Sequence, residues 1–184
     1  MDIWTELGRY AFWTTERLIM RPFAFSDRDD FWAICSNPQN LNFIFPAQAS
    51  RYESDYLLVH YFMKAPLGIW AIEDKETGKM IGAIRFEKLN SLSQITEIGY
   101  FLHRDFWNQG YMTECLQTLV YLSFTAMDLK ALKVIIHQEN AASHRVAQKS
   151  GFRLTREFKG SDRYSHKMRS YAEYQILKGD YHYE

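Results

Sequence analysis

The sequence predicts a mixed α/β domain with a central, mostly antiparallel, twisted sheet of about six to seven strands, flanked by about four helices. Three observations carry this. Strand-length apolar runs at 68–73 and 79–87 are joined by Asp74-Lys75-Glu76-Thr77-Gly78, a polar turn ending in glycine, which is the pattern of a hairpin. A segment with helical spacing, 110–127, lies between two strand-like runs and predicts a strand–helix–strand crossover. No repeat, low-complexity tract or Pro/Gly/Ser linker interrupts the chain, so residues 1–184 are expected to form one domain with 1–14 as a leading segment.

The elements follow in order. Residues 4–12, rich in Trp and Tyr, suggest a short leading helix, and Leu18–Arg21 a strand stopped by Pro22. Ser26 is placed to cap a helix reaching Cys35, with acids in its first turn. Ser50 and Glu53 have capping-box spacing for a second helix to Lys64. After the hairpin, Ile95–Leu102 forms a third strand of that group. In the following helix Leu116, Leu119, Val120 and Phe124 share one face. Leu132–His137 is a compact strand and Ala141–Ser150 a helix with Gly151 as its left-handed stop. Two strands complete the tail, with Tyr171–Leu177 the clearer, and the basic run 163–169 reads as a solvated turn between them.

Composition limits the function classes. Lys plus Arg and Asp plus Glu number 22 each, so the formal net charge is zero and recruitment to nucleic acid by bulk charge is excluded. Two cysteines, Cys35 and Cys115, are too few and too far apart for a disulfide framework or zinc pair, and are expected as free, buried thiols. No His/Cys/Asp cluster has metal-ligand spacing. No apolar run reaches the ~18 residues of a membrane span and no leader pattern opens the chain, so a cytoplasmic protein with no membrane partner is expected. Aromatic residues, 16% of the chain, are concentrated at both ends, which suits core packing and leaves open an aromatic groove or a homodimer surface.

The chemistry is concentrated in the segment from Glu97 to Glu114, Glu-Ile-Gly-Tyr-Phe-Leu-His-Arg-Asp-Phe-Trp-Asn-Gln-Gly-Tyr-Met-Thr-Glu. A strand runs into a short loop ending at Gly110, and the loop feeds a helix. Such a helix start leaves amides unpaired and carries partial positive charge, and glycine lets backbone approach a phosphate closely. Gly110 alone would equally suit an ordinary strand–loop–helix corner.

The neighbouring residues go further. Glu97-Ile98-Gly99-Tyr100 followed by Trp107-Asn108-Gln109-Gly110-Tyr111-Met112-Thr113-Glu114 resembles the acetyl-CoA site of GNAT acetyltransferases, in the branch of the ribosomal-protein alanine N-acetyltransferases. Asn140-Ala141-Ala142-Ser143, then Val146 and Lys149-Ser150-Gly151-Phe152, resembles that family's next motif, and Thr15-Glu16-Arg17-Leu18 to Arg21-Pro22 its first strand. Asn108 and Met112 depart from the pattern, standing where the family usually has glycine and a small residue.

The resemblance implies an acetyl-CoA-dependent N-acetyltransferase acting on a primary amine without a metal. Phe101 and Leu102 would meet the pantetheine arm through their backbone, and the amides of Asn108, Gln109, Gly110, Tyr111 and Met112 would hold the pyrophosphate. Asn140 would contact the pantetheine and Ser143 the departing sulfur. Glu97 is the first choice for the base, since an α-amino group near ~8 or a lysine near ~10.4 must lose a proton before it attacks. His137 and His144, near the same corner, read as structural or exposed residues rather than as bases. The expected acceptor is a peptide or protein N-terminus, with a polyamine, an aminoglycoside or another small amine as alternatives. A non-catalytic CoA-binding module remains a further alternative.

Overall fold

In the computed structural model, which describes residues 2–183, the chain runs α1 (Ile3–Arg9), β1 (Trp13–Thr14), β2 (Leu18–Arg21), α2 (Arg28–Cys35), α3 (Arg51–Leu57), β3 (Ile69–Asp74), β4 (Met80–Phe86), β5 (Ile95–Leu102), α4 (Tyr111–Thr125), β6 (Ala131–His137), α5 (Ala141–Lys149), β7 (Arg153–Ser161) and β8 (Met168–Leu177). The strands are hydrogen-bonded in the order β1-β2-β3-β4-β5-β6-β8-β7. Among the described residues this gives eight strands and five α-helices. The extra strand over expectation is β1, two residues pairing Trp13 with Met20 and Thr14 with Ile19, too short to show a period in sequence. The fifth helix is α1, which is shorter than the 4–12 expected because it closes at Tyr10.

Among the described strand pairings, one is parallel and the rest are antiparallel. β5 and β6 run parallel, matching Ile95, Thr96 and Glu97 with Ala131, Leu132 and Lys133. That parallel pair is the crossover carried by α4. Between β4 and β5, Glu87 N–H donates to Glu97 O at 2.8 Å and His103 N–H to Ile81 O at 2.7 Å, the reciprocal offset of an antiparallel pair.

The chain forms two compact units, interleaved in sequence. The first contains Asp2–Arg85 and Tyr100–Tyr111. Its core gathers Phe31, Ile34 and Cys35 of α2 with Leu58, Phe62, Ala71, Ala83 and Phe101. Phe62 lies 5.1 Å from Phe23, 5.4 Å from Phe31 and 5.9 Å from Phe101 between ring centres, in the tilted and edge-on arrangements that aromatic quadrupoles favour. Phe62 reaches that position because the helix begun at α3 widens into a π-helix over Leu58–Met63. Arg21 holds the base of this unit, with its Nη atoms on both Asp27 oxygens at 2.9 and 2.7 Å and Nε on Glu73 at 2.6 Å. These carboxylates keep its guanidinium charged well beyond its ordinary range. Asp27 also accepts from Ala24 N, so Asp27 and not Ser26 organises the start of α2, through a short 3-10 turn at Phe25–Asp27. Ser50 caps α3 as expected, accepting from Glu53 N at 3.2 Å, but Glu53 reaches back to Ala49 N rather than to Ser50.

The second unit contains Phe86–Gly99 and the chain from Met112 on. α4 buries Met112, Cys115, Leu116, Leu119, Val120 and Phe124, the face its spacing predicts. β6 supplies Leu132, Val134 and Ile136 to the same core, and β8 supplies Ala172, Tyr174 and Ile176. Gly151 ends α5 at φ +89°, the left-handed stop that its position predicts. Both cysteines are free and buried, and burial pushes the Cys35 thiol up to about 12. Among the described residues no helix is long and apolar enough to cross a membrane.

Candidate active site

In the first unit, β5 ends at Leu102, whose carbonyl receives Trp107 Nε1 at 2.7 Å. This bond folds the loop back on the strand end. Phe101 and Leu102 are buried, so what either presents to a ligand is its backbone. Asn40 Oδ1 accepts from Arg104 N at 2.8 Å and pins the short 3-10 turn at Arg104–Phe106. The chain then turns through Asn108 at φ +58° and Gly110 at φ +79° before α4 begins at Tyr111. Residues 107–110 are exposed, whereas Tyr111 and Met112 are buried at 9% and 7%. The Met112 side chain therefore points inward, away from the exposed loop.

Among the described residues none of the amides of Asn108–Met112 donates to a turn acceptor, and the first amides of a helix have no partner within it. A Cβ at Gly110 would find just the far end of Arg17, at 3.5 Å. An exposed glycine corner with unpaired amides and the positive end of a 15-residue helix is a cradle suited to a pyrophosphate.

Arg17 belongs to this corner, although the sequence places it only in the motif that opens the first strand and gives it no role at the site. Its Nη1 donates to Gln109 O at 3.0 Å, and its guanidinium lies 4.0 Å from the centre of the Tyr111 ring. The two partners lie more than ninety residues on, so no local pattern could reveal them. Arg17 brings a positive charge to the loop and braces it. For Arg17→Ala we expect the KM for acetyl-CoA to rise about threefold to tenfold with kcat little changed, read by thiol-release kinetics, as for loss of one charge-assisted bond and one cation–π contact of ~1 kcal/mol.

In the second unit, Glu97 faces Lys88, whose Nζ is 3.2 Å from its carboxylate, and the Glu97 side chain is 18% exposed. Across the sheet Glu87 lies over Gly99: a Cβ there would meet the Glu87 side chain, and glycine is what lets that carboxylate lie down. Asn140 caps α5, its Oδ1 accepting from Ser143 N at 3.2 Å while its Nδ2 donates to Ser143 Oγ at 3.0 Å. His144 bridges Tyr174 and the strand end: Nε2 lies 3.1 Å from His137 O and Nδ1 2.9 Å from Tyr174 Oη. The carbonyl requires a donor, so Nε2 carries the proton and Tyr174 donates to Nδ1. The histidine is thereby a structural tie that holds α5 to β6 and β8.

The structure thus joins Asn140 to Ser143, and Asn108–Tyr111 to Arg17, each group within one unit. Among the described residues no three His, Cys, Asp or Glu side chains cluster as a metal would require.

Comparisons with known proteins bear on the same segments. The family profile described as "Acetyltransferase (GNAT) domain" matches residues 17–153. The Bacillus subtilis (strain 168) protein named uncharacterized N-acetyltransferase YoaA is 28% identical over 142 residues, 75% of this chain and 80% of its own length. The ribosomal-protein-serine acetyltransferase of Escherichia coli (strain K12) is 30% identical over 76 residues, 41% of this chain and 42% of its own. Among solved structures, an acetyltransferase (GNAT family) from Bacillus anthracis superposes with TM-score 0.79 at 24% identity, covering 91% of this chain and 99% of that one.

Proposed function

The chain belongs to the GNAT acetyltransferase family and is an acetyl-transferring enzyme, and we propose that its acceptor is the α-amino group of a peptide or protein. Acetyl-CoA, when bound, supplies an activated thioester. The amides of Asn108, Gln109, Gly110, Tyr111 and Met112, with Arg17 behind them, hold the pyrophosphate, and the backbone of Phe101 and Leu102 orients the pantetheine arm as an added strand would. Asn140 positions Ser143 through the bonds described, and the Ser143 hydroxyl donates to the departing sulfur. Glu97 is the carboxylate that draws in a protonated amine and the first candidate to take its proton.

The observation that carries the choice of acceptor is the state of the acids on the first two helices after the leader. A polycation such as spermidine requires several uncommitted carboxylates, and all five in this region are engaged. Asp27 is held by Arg21, Asp29 by Arg51 and Asp55 by Arg28 at 2.7 Å, while Asp30 accepts from Met80 N at 3.1 Å and Glu53 from Ala49 N at 2.9 Å. The surface they leave instead presents the exposed rings of Tyr52, Tyr56 and Tyr61, suited to peptide. The similarity to a ribosomal-protein-serine acetyltransferase agrees with this reading.

The test is thiol release from acetyl-CoA against peptides beginning with Ala or Ser, spermidine and an aminoglycoside. We expect turnover on peptides, and roughly 10²-fold lower kcat in Glu97→Gln and in Ser143→Ala, the range of one general acid–base group. A preference for spermidine would overturn the peptide reading. Acetyl-CoA binding without turnover on any amine would instead indicate a binding module.

A further inference from the structure

In the first unit, α3 runs without a break into the π-helical turn, so Arg51–Met63 is one helix of two pitches. Its outer side carries the aromatic surface assigned above to the peptide. Tyr56 and His60 stack there with ring centres 4.0 Å apart at 19°, and Tyr61 beside them is 58% exposed. Phe62, one residue on, is buried in the aromatic core against Phe101.

The last carbonyls of a helix have no partner within it. That of Tyr61 is met from the sheet, where Arg85 of β4 donates to it from Nη1 at 3.1 Å. The same guanidinium lies 5.4 Å from the centre of the Phe62 ring, within cation–π reach. One side chain therefore grips two successive residues of the helix end, the first by its carbonyl and the second by its ring.

We propose that Arg85 is a positioning residue for the acceptor, fixing the end of the helix that presents Tyr56, His60 and Tyr61. The inference rests on the peptide reading above and adds a residue that acts through the helix rather than by contact with substrate.

Three features support it. The first is where the grip is anchored. Arg85 pairs with Ile69 in the β3–β4 register, and Ile69 and the neighbouring Ile84 are buried, so its backbone belongs to the interior of the sheet. The helix end is thereby referenced to the most rigid part of the unit. The second is charge. A helix C-terminus carries partial negative charge, and a cation there is stabilising. The third is the shape of the group. A guanidinium can donate in its plane and stack through its face, whereas an ammonium is a point charge without a face.

The kinetic consequence is specific. A surface already ordered before the peptide arrives spares the cost of ordering it on binding. Without Arg85 that cost falls on the peptide complex alone. The cofactor loop at Asn108–Met112 is braced separately by Arg17, and Phe101 keeps its edge-on contact with Phe45 at 5.6 Å. Acetyl-CoA affinity is therefore spared.

The experiment is steady-state kinetics with an Ala- or Ser-starting peptide for the unaltered chain, Arg85→Met and Arg85→Lys. It is combined with calorimetry of acetyl-CoA binding and amide exchange over residues 61–64. Methionine keeps an apolar stem over Phe62 and loses the donor and the charge. For Arg85→Met we expect the peptide KM to rise about tenfold, with kcat and acetyl-CoA affinity within about twofold and faster exchange confined to the helix end. Arg85→Lys keeps a donor for the Tyr61 carbonyl and loses the stacked plane, so its peptide KM should rise about threefold. It is the deciding variant if Arg85→Met does not fold. An unchanged peptide KM in the folded variants would overturn the proposal. So would a parallel loss of kcat, acetyl-CoA affinity and melting temperature, the mark of a merely structural arginine. An unaltered chain that acetylates another amine and no peptide would overturn the acceptor reading, and this inference with it.

Discussion

Gly82→Ala is expected to cost about 3 kcal/mol of stability, lowering the melting temperature by roughly 6–12 °C, and to weaken acetyl-CoA binding about tenfold. Gly82 lies on β4, where a Cβ would overlap the carbonyl oxygen of Phe101 and come within 3.0 Å of Leu102 Cα. Both obstacles are backbone, which cannot rotate aside as a side chain can. The added methyl must therefore push β4 away from the end of β5, which also carries the His103-to-Ile81 hydrogen bond. The same displacement moves the Phe101 and Leu102 backbone proposed to meet pantetheine, so stability and affinity should fall together. Gly8→Ala is the contrast: nothing lies within 4 Å of a Cβ there, and in α1 the change should be neutral or stabilising by up to ~1 kcal/mol. Calorimetry of the two variants checks the pair. An unaltered melting temperature in Gly82→Ala would show that the strands are not so close.

What the sequence revealed and what it hid divide by the range of the interaction. The hairpin, β5 and the start of α5 are specified by neighbours a few residues apart, such as the Asp74–Gly78 turn and Asn140 capping through Ser143, and they appear where periodicity and capping place them. Local pattern favours Ser26 as the cap of α2, but Asp27 wins through Arg21, whose position depends on the β2–β3 pairing. Spacing alone suggests plain helix over Leu58–Met63, and it is the packing of Phe62 against Phe23, Phe31 and Phe101 that accounts for the wider π-helical turn. At the candidate site the glycine loop is visible as a motif, while the contact of Arg17 with that loop is not. That contact joins segments 92 residues apart, and a lone arginine carries no signal of its future partner.

Gly110→Val should raise the KM for acetyl-CoA about tenfold to a hundredfold with kcat within a few-fold of the unaltered chain. Space is not the reason, because a Cβ at this position would make an ordinary 3.5 Å contact with Arg17. The backbone is the reason: φ is +79°, and a β-branched residue there costs on the order of 1–3 kcal/mol. The loop escapes by turning Gly110 to negative φ, which rotates the adjoining amides away from a common focus, and about 1.4 kcal/mol of lost interaction is tenfold in affinity. Asn108 gives the internal comparison. It holds φ +58° with a side chain that tolerates this region, so Asn108→Gly, restoring the residue usual in the family, should leave KM unchanged or slightly lower, and Asn108→Val should resemble Gly110→Val. The kinetic split decides what the loop does. A group that binds the pyrophosphate holds ground state and transition state alike, so its loss appears in KM. A fall in kcat at constant KM would instead place the loop at the reacting end of the cofactor, and the assignment of Asn108–Met112 as the phosphate cradle would have to be withdrawn.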